Sequence, residues 1–185
     1  MSSEDENSDK IELLKRMIVC HADLQTSLSA ITFLNEEADE NEQYHFIELR
    51  RLKCYETTFV IAYGRAFTNS FGSKYKQLEL GKIGLRLSED ERTIHDRIIK
   101  ARSKKYAHSD LAFTHTRIDM DILEINGEGF PVHHIQWDEG LDFISGYEPY
   151  AIMDLIRKIM KYLYETIRTL AGELKEHLPI YIKPK

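Results

Sequence analysis

Cysteine, long apolar runs and positive charge are all in short supply in this 185-residue chain, and each shortage excludes a class of protein. No apolar run approaches the roughly 18 residues of a membrane span, so no membrane insertion is expected. The two cysteines, Cys20 and Cys54, lie in helical patterns without metal-ligand spacing, which fits reduced thiols and not a disulfide framework. The formal net charge of −6 excludes sequence-indifferent binding along nucleic-acid backbones, because that needs a broad basic face. Any RNA contact must therefore be local, and Arg97, Lys100, Arg102, Lys104 and Lys105 form the one candidate cluster. Residues 1–9 are acidic and polar, with neither a basic nor an apolar section, so they do not read as a signal peptide. They are expected to be a disordered tail, and the cytoplasm is the expected compartment.

What remains is patterned for helices. The length fits a single domain over residues 10–185 with a real core. From Ser8 to about Asn35, Ile11, Leu14, Ile18, Leu24, Leu28, Ile31 and Leu34 recur mostly every three or four residues, as an amphipathic helix requires. His21 falls in this stripe as a core histidine. The stretch Glu36–Glu42 contains no apolar residue except Ala38 and suits a solvated connection. Tyr44 to about Phe71 repeats the pattern through Phe46, Leu49, Leu52, Tyr55, Phe59, Ala62, Ala66 and Phe67, and Gly72 supplies a stop. Inside this second helix, Gly64 is expected to mark the close approach of another backbone. Arg65 beside it is a candidate for a cleft-facing cation, although a solvent-facing or carboxylate-paired arginine explains it as well. Gly72, Gly81 and Gly84 then break the pattern with no phosphate-cradling spacing, so a loop with a short helical turn is expected.

Ser88, with Glu91 three residues on, has capping-box spacing, and a third helix is expected to start there and bury Ile94, Ile98, Ile99 and Ala101. After Asp110 the period changes to two, with Ile118, Met120 and Ile122 alternating with Arg117, Asp119 and Asp121, and Asn126-Gly127 is a strong hairpin turn. A β-hairpin is expected over about 113–137, lying against the helices because two strands alone are not stable. His115, His133, His134, Asp119 and Asp121 lack any ligand-spacing motif, so no metal and no cofactor is expected. Pro149 opens a last helix whose stripe is Ile152, Leu155, Ile159, Leu163, Ile167, Leu170 and Leu174. The fold class that follows is all-α: an up-and-down bundle of about four helices with a hairpin inserted before the last.

The densest chemistry lies at the end of the third helix, in Ala101-Arg102-Ser103-Lys104-Lys105-Tyr106-Ala107-His108-Ser109-Asp110. Arg102 offers a fork of donors suited to phosphate, Lys104 and Lys105 add point charges, and His108 exchanges a proton near neutral pH. Two functions of different kind fit these residues. One is chemistry on an RNA phosphate; the other is a noncatalytic helical module that holds a nucleotide or a protein partner.

This segment resembles the HEPN superfamily (higher eukaryotes and prokaryotes nucleotide-binding), and is most similar to its abortive-infection, AbiU-type branch. The signature there is an arginine followed after four to six residues by histidine; here five residues separate Arg102 from His108. Lys104, Ala107-His108 and Asp110 match the branch pattern too, and the bundle with its motif on the third helix agrees in outline. The resemblance implies a metal-independent endoribonuclease, or a nucleotide-binding relative, often homodimeric and acting in phage defence or as a toxin beside a protein partner or antitoxin. Arg102 would then stabilise phosphate charge and His108 would transfer protons, with Lys104, Lys105, Tyr106, Asp110 and Arg65 as substrate contacts. Ser103 stands where active members more often carry Asn, Asp or His. Asp110 stands where some toxin members carry a tyrosine that is nucleotidylated, so an antitoxin of the nucleotidyltransferase kind is not implied. On an ideal helix Arg102 and His108 point about 120° apart. Either the helix unwinds near Ala107-His108-Ser109, or a second subunit, meeting the first across the third helix, completes the cleft.

Overall fold

The computed structural model describes residues 3–69, 75, 77–106, 116–137 and 140–174. Four helices, α1 (Ser3–Glu37), α2 (Phe46–Phe67), α3 (Glu89–Ala101) and α4 (Glu148–Glu173), enclose one core, and strands β1 (Thr116–Ile125) and β2 (Glu128–Trp137) form a hairpin before α4. Neighbouring helices run antiparallel. Along α1 and α2, Arg16 donates to the Arg65 carbonyl and Ser27 to the Phe59 carbonyl, so one helix climbs as the other descends. Thr32 of α1 meets Met153 of α4 while His21 meets Tyr164, and Lys158 and Glu148 of α4 pair with Glu91 and Arg97 of α3. The all-helical up-and-down bundle with an inserted hairpin is therefore the architecture of this chain.

Several boundaries and faces differ from the expectation for physical reasons. Helix α1 begins at Ser3, so helix covers most of the stretch expected as a tail. Glu6 pairs with Lys10 at 2.9 Å across one turn, and such pairs support an exposed helix end. The buried stripe of α1 is Leu14, Met17, Cys20, Leu24, Ser27, Ile31 and Leu34, and Ile18 lies one residue off it, half exposed at 51%. His21 sits at the edge of the stripe, against Tyr164. Between Glu6 and Glu37 this helix is long and apolar enough by composition to cross a membrane. Its apolar stripe, however, is consumed by α2 and α4, as in the core helix of a bundle.

Helix α2 stops at Phe67, four residues before the expected end, where Thr68 turns extended and returns its hydroxyl to the Gly64 carbonyl. The expected stop at Gly72 lies outside the described residues. A short 3₁₀ turn, Leu80–Ile83, follows and is closed by Gly84 at φ 71°. The capping box of α3 is formed: Ser88 Oγ accepts from the Glu91 amide at 3.2 Å, and Glu91 accepts from the Ser88 amide at 2.8 Å. Glu91 also accepts from Lys158 of α4 at 2.6 Å, which holds its carboxyl below the usual range and ties the start of α3 to the bundle. In α4 the stripe from Ile152 to Leu163 is fully buried, while Ile167 and Leu170 are only half buried near the helix end.

The hairpin pairs in the register Ile122↔Pro131 and Leu123↔Phe130 around Asn126 and Gly127, both at positive φ. It does not lie against the helices over its outer part. Every side chain from Met120 to Pro131 is exposed. His133 pairs with Met120 and Asp121 with Val132, so His133 and Asp121 occupy opposite faces and do not meet. His115 lies outside the described residues, and among those described no group of His, Cys, Asp and Glu converges to hold a metal ion.

Candidate functional site: the end of the third helix

At Ala101 the α-helix gives way to a wider π-helical turn, Arg102–Tyr106. Such turns redirect side chains by one position. Here the widening comes at Arg102 itself, earlier than the unwinding expected at Ala107-His108-Ser109, which together with Asp110 lies outside the described residues. The turn sends Arg102 and Tyr106 to separate places on α2.

Arg102 lies across Gly64. A Cβ on that glycine would stand 2.6 Å from Arg102 Cγ, so only glycine lets the arginine stem lie flat on α2. The close approach at the mid-helix glycine is thus that of a side chain and not of the backbone expected from the sequence. Arg102 Nε is buried and has no hydrogen-bond partner among the described residues. An unsatisfied buried donor on a charged group is costly, and an anionic oxygen is the ligand that would satisfy it.

Tyr106 instead enters a polar network about 12 Å farther along α2, eight residues at 1.5 Å per residue. At its centre is Glu56, fully buried on the α2 core stripe between Leu52 and Phe59. One Glu56 oxygen accepts from the backbone amides of Asp142 and Phe143; the other accepts from Lys53 Nζ and the Tyr106 hydroxyl. Lys53 also donates to the Gly140 carbonyl at 2.7 Å and to Tyr106 at 3.0 Å. Tyr106 and Lys105 both reach Asp142 Oδ2 at 2.8 Å. Burial, with the two carboxylates beside it, pushes the Tyr106 phenol far above its ordinary range, so it stays a donor. Burial pushes the Asp142 carboxyl up, but the hydrogen bonds from Lys105 and Tyr106 and the charge of Lys53 outweigh it and hold the group below its usual range.

The expected phosphate contacts therefore separate. Lys105 is committed to Asp142, and Tyr106 to Glu56 and Asp142, so both serve to fasten the π turn and the segment before α4 to α2. Arg65 is not in the cleft: it pairs with Asp23 of α1 at 2.8 Å, one residue and about 100° around α2 from Gly64. Arg97 bonds to Glu148 and to the Asp142 carbonyl and lies 4.8 Å above the Phe143 ring. Lys104 is exposed, and Lys100 is exposed one turn earlier. Two members of the basic cluster legible in the sequence, Arg97 and Lys105, are thus paired with carboxylates, while Arg102 Nε has no partner among the described residues.

Sequence reasoning missed Glu56, Lys53 and Asp142. The signal was present in Glu56, a carboxylate falling on the apolar stripe Leu52, Glu56, Phe59, Tyr63. It also missed the pair Tyr63 and His95, whose hydroxyl and Nδ1 are 2.8 Å apart between α2 and α3, with Phe67 edge-on to the imidazole at 4.8 Å. His95, Ile98, Ile99 and Arg102 share the face of α3 that meets α2. Comparison of the chain with protein-family models, curated proteins and solved structures gives no significant match.

Proposed function

We propose that the protein is a HEPN-like, metal-independent endoribonuclease of the phage-defence or toxin kind, acting in the cytoplasm, in which Arg102 receives the RNA phosphate and His108 moves the proton. One observation supports the anionic ligand: a buried guanidinium Nε laid out on Gly64 and without an acceptor among the described residues. In this reading His108 takes the proton of a ribose 2′-hydroxyl as its oxygen attacks the neighbouring phosphate, Arg102 stabilises the charge that builds on the phosphoryl oxygens, and the P–O5′ bond breaks to leave a 2′,3′-cyclic phosphate and a 5′-oxygen that takes up a proton from water. Lys104 supplies a further exposed cation at the turn.

The runner-up is a noncatalytic module of the same fold that holds a nucleotide or a protein. The commitment of Lys105, Tyr106 and Arg65 to internal carboxylates favours it, since a cleaving site has more use for free cations. Single-stranded RNA incubated with the purified protein in EDTA separates the two. Cleavage leaving cyclic phosphate ends, abolished by His108→Ala and Arg102→Ala and by 2′-deoxy substitution at the cut, is the expected result. Cleavage that persists in His108→Ala, or its absence across varied RNAs while nucleotide binding is retained and lost only in Arg102→Ala, moves the assignment to the binding module.

A further inference from the structure

We propose that the outer edge of β1 pairs with β1 of a second copy of this chain, antiparallel about Ile122, joining two hairpins into one four-stranded sheet. The inference rests on the hairpin alone and stands apart from the ribonuclease reading.

The hairpin is under-supported as a single copy. Two strands are marginal in water, and three or more with a covered apolar face are needed for independent stability. Yet Met120, Ile122, Leu123, Ile125 and Phe130 are each between 45% and 69% exposed. Ile122 and Met120 lie on one face, with Pro131 and His133 opposite them; Leu123 and Ile125 lie on the other, with Phe130 and Glu128 opposite them. Both faces are therefore apolar near the tip.

The two edges are not equivalent. The two-residue turn at Asn126 and Gly127 makes Ile125↔Glu128 a hydrogen-bonded pair, and pairs then alternate, so Ile122↔Pro131 is a non-hydrogen-bonded pair. Backbone groups of such pairs face outward. On β2 the outward position holds Pro131, which has no N–H to offer, and proline there blocks strand addition. On β1 the outward positions are Met120, Ile122 and Glu124, each with an N–H and C=O that the β1–β2 ladder leaves unused and that meets no partner among the described residues. With no proline or glycine in β1, this edge is an open template.

Self-pairing fits the charges of β1. A two-fold through Ile122 sets Ile122 against its own copy in a hydrogen-bonded pair, Asp121 opposite Leu123 and Met120 opposite Glu124, so no like charges face each other. A two-fold through Asp121 would oppose two aspartates. One through Leu123 also avoids that clash, but it overlaps residues 121–125 where the axis at Ile122 overlaps 119–125. The longer ladder decides for Ile122. This puts the dimer contact on the hairpin, not on α3 as the angular divergence of Arg102 and His108 suggests.

Light scattering coupled to size exclusion on the full chain is expected to show a dimer at tens of micromolar, and monomers for both Ile122→Pro and Ile122→Lys with helical circular dichroism unchanged. Proline at 122 removes an outward N–H and spares the intrachain ladder; lysine leaves every N–H in place and charges the edge. In a Cys54→Ser background, Ile122→Cys is expected to cross-link between copies on mild oxidation, because the Cα atoms of a hydrogen-bonded pair are about 5.5 Å apart. Glu124→Cys is expected not to, since its copy lies four residues, about 14 Å, along the ladder. A monomeric wild type, a dimer persisting in both Ile122 variants, or equal cross-linking at the two positions would overturn the proposal.

Discussion

The stem of Arg102 occupies the space that a side chain at position 64 would fill: a Cβ on Gly64 would meet Arg102 Cγ at 2.6 Å, Cδ at 3.1 Å and Cβ at 3.2 Å. The contact involves the root of the arginine and not its flexible tip, so a methyl group at 64 moves the whole side chain or the π turn that carries it. The glycine thus matters to α2 only because of a residue on another element.

Gly64→Ala is accordingly expected to change sign with its partner. In the wild-type background the clash costs about 1–3 kcal/mol; in an Arg102→Gly background, which also removes the Cβ 3.2 Å away, it vanishes and the helix gains up to about 1 kcal/mol from replacing a mid-helix glycine. Urea denaturation of the four proteins in this cycle gives both numbers. Equal effects in the two backgrounds would mean that Gly64 and Arg102 do not touch.

Core truncation sets the scale for that cycle. Leu163→Ala or Leu155→Ala, at positions 0% and 1% exposed, is expected to cost roughly 2–5 kcal/mol. Arg102→Ala is expected to cost far less, since its Nε gives up no partner among the described residues. A melting-temperature loss for Arg102→Ala as large as for Leu163→Ala would make the arginine a structural residue.

Features governed by neighbours in sequence were legible without coordinates. The Ser88 and Glu91 capping box, the Asn126-Gly127 turn and the α4 stripe all depend on residues within a few positions of one another. The candidate site was legible in its residue types and not in its arrangement, because long-range partners decide what each group does. Asp142 lies 37 residues from Lys105 and Glu56 lies 50 from Tyr106, and nothing local foretells that these carboxylates claim those donors. Arg65 likewise depends on Asp23 of α1. The exposed face of the hairpin was invisible for a similar reason: alternation specifies two faces without saying whether anything covers them.

The Glu56 network makes a demand on stability that a surface ion pair does not. Four donors converge on this buried carboxylate; removing it strands the Asp142 and Phe143 amides and costs Lys53 and Tyr106 one of their acceptors, leaving them Gly140 and Asp142. Glu56→Ala is expected to cost about 3–5 kcal/mol, and Tyr106→Phe, which removes one donor, about 1–3 kcal/mol. Hydrogen exchange should also rise at the Asp142 and Phe143 amides in Glu56→Ala. A loss under about 1 kcal/mol with those amides still protected would show that the segment before α4 is held by something else.

The last prediction concerns pH and His95. Burial between α2 and α3 lowers its pKa from the ordinary 6.5; Asp96 opposes this shift and Arg92 adds to it, and the Tyr63 hydroxyl meets Nδ1. Burial raises the Tyr63 phenol far above its ordinary range, so it stays neutral and no phenolate is there to favour the imidazolium. Because the folded protein favours the neutral ring, the unfolded chain binds the proton more readily. The stability due to His95 is therefore complete above 6.5 and is lost as the pH falls from there through the lower folded-state value. Loss from the depressed carboxylates Glu91 and Asp142 belongs to a more acid window, below their ordinary values of 4.5 and 3.8. Melting temperatures between pH 7 and 5 should fall for the wild type and fall less for His95→Gln, which keeps a polar partner for Tyr63 without a titrating group. Parallel pH profiles for the two proteins would show that protonation of His95 is not opposed by the α2–α3 contact.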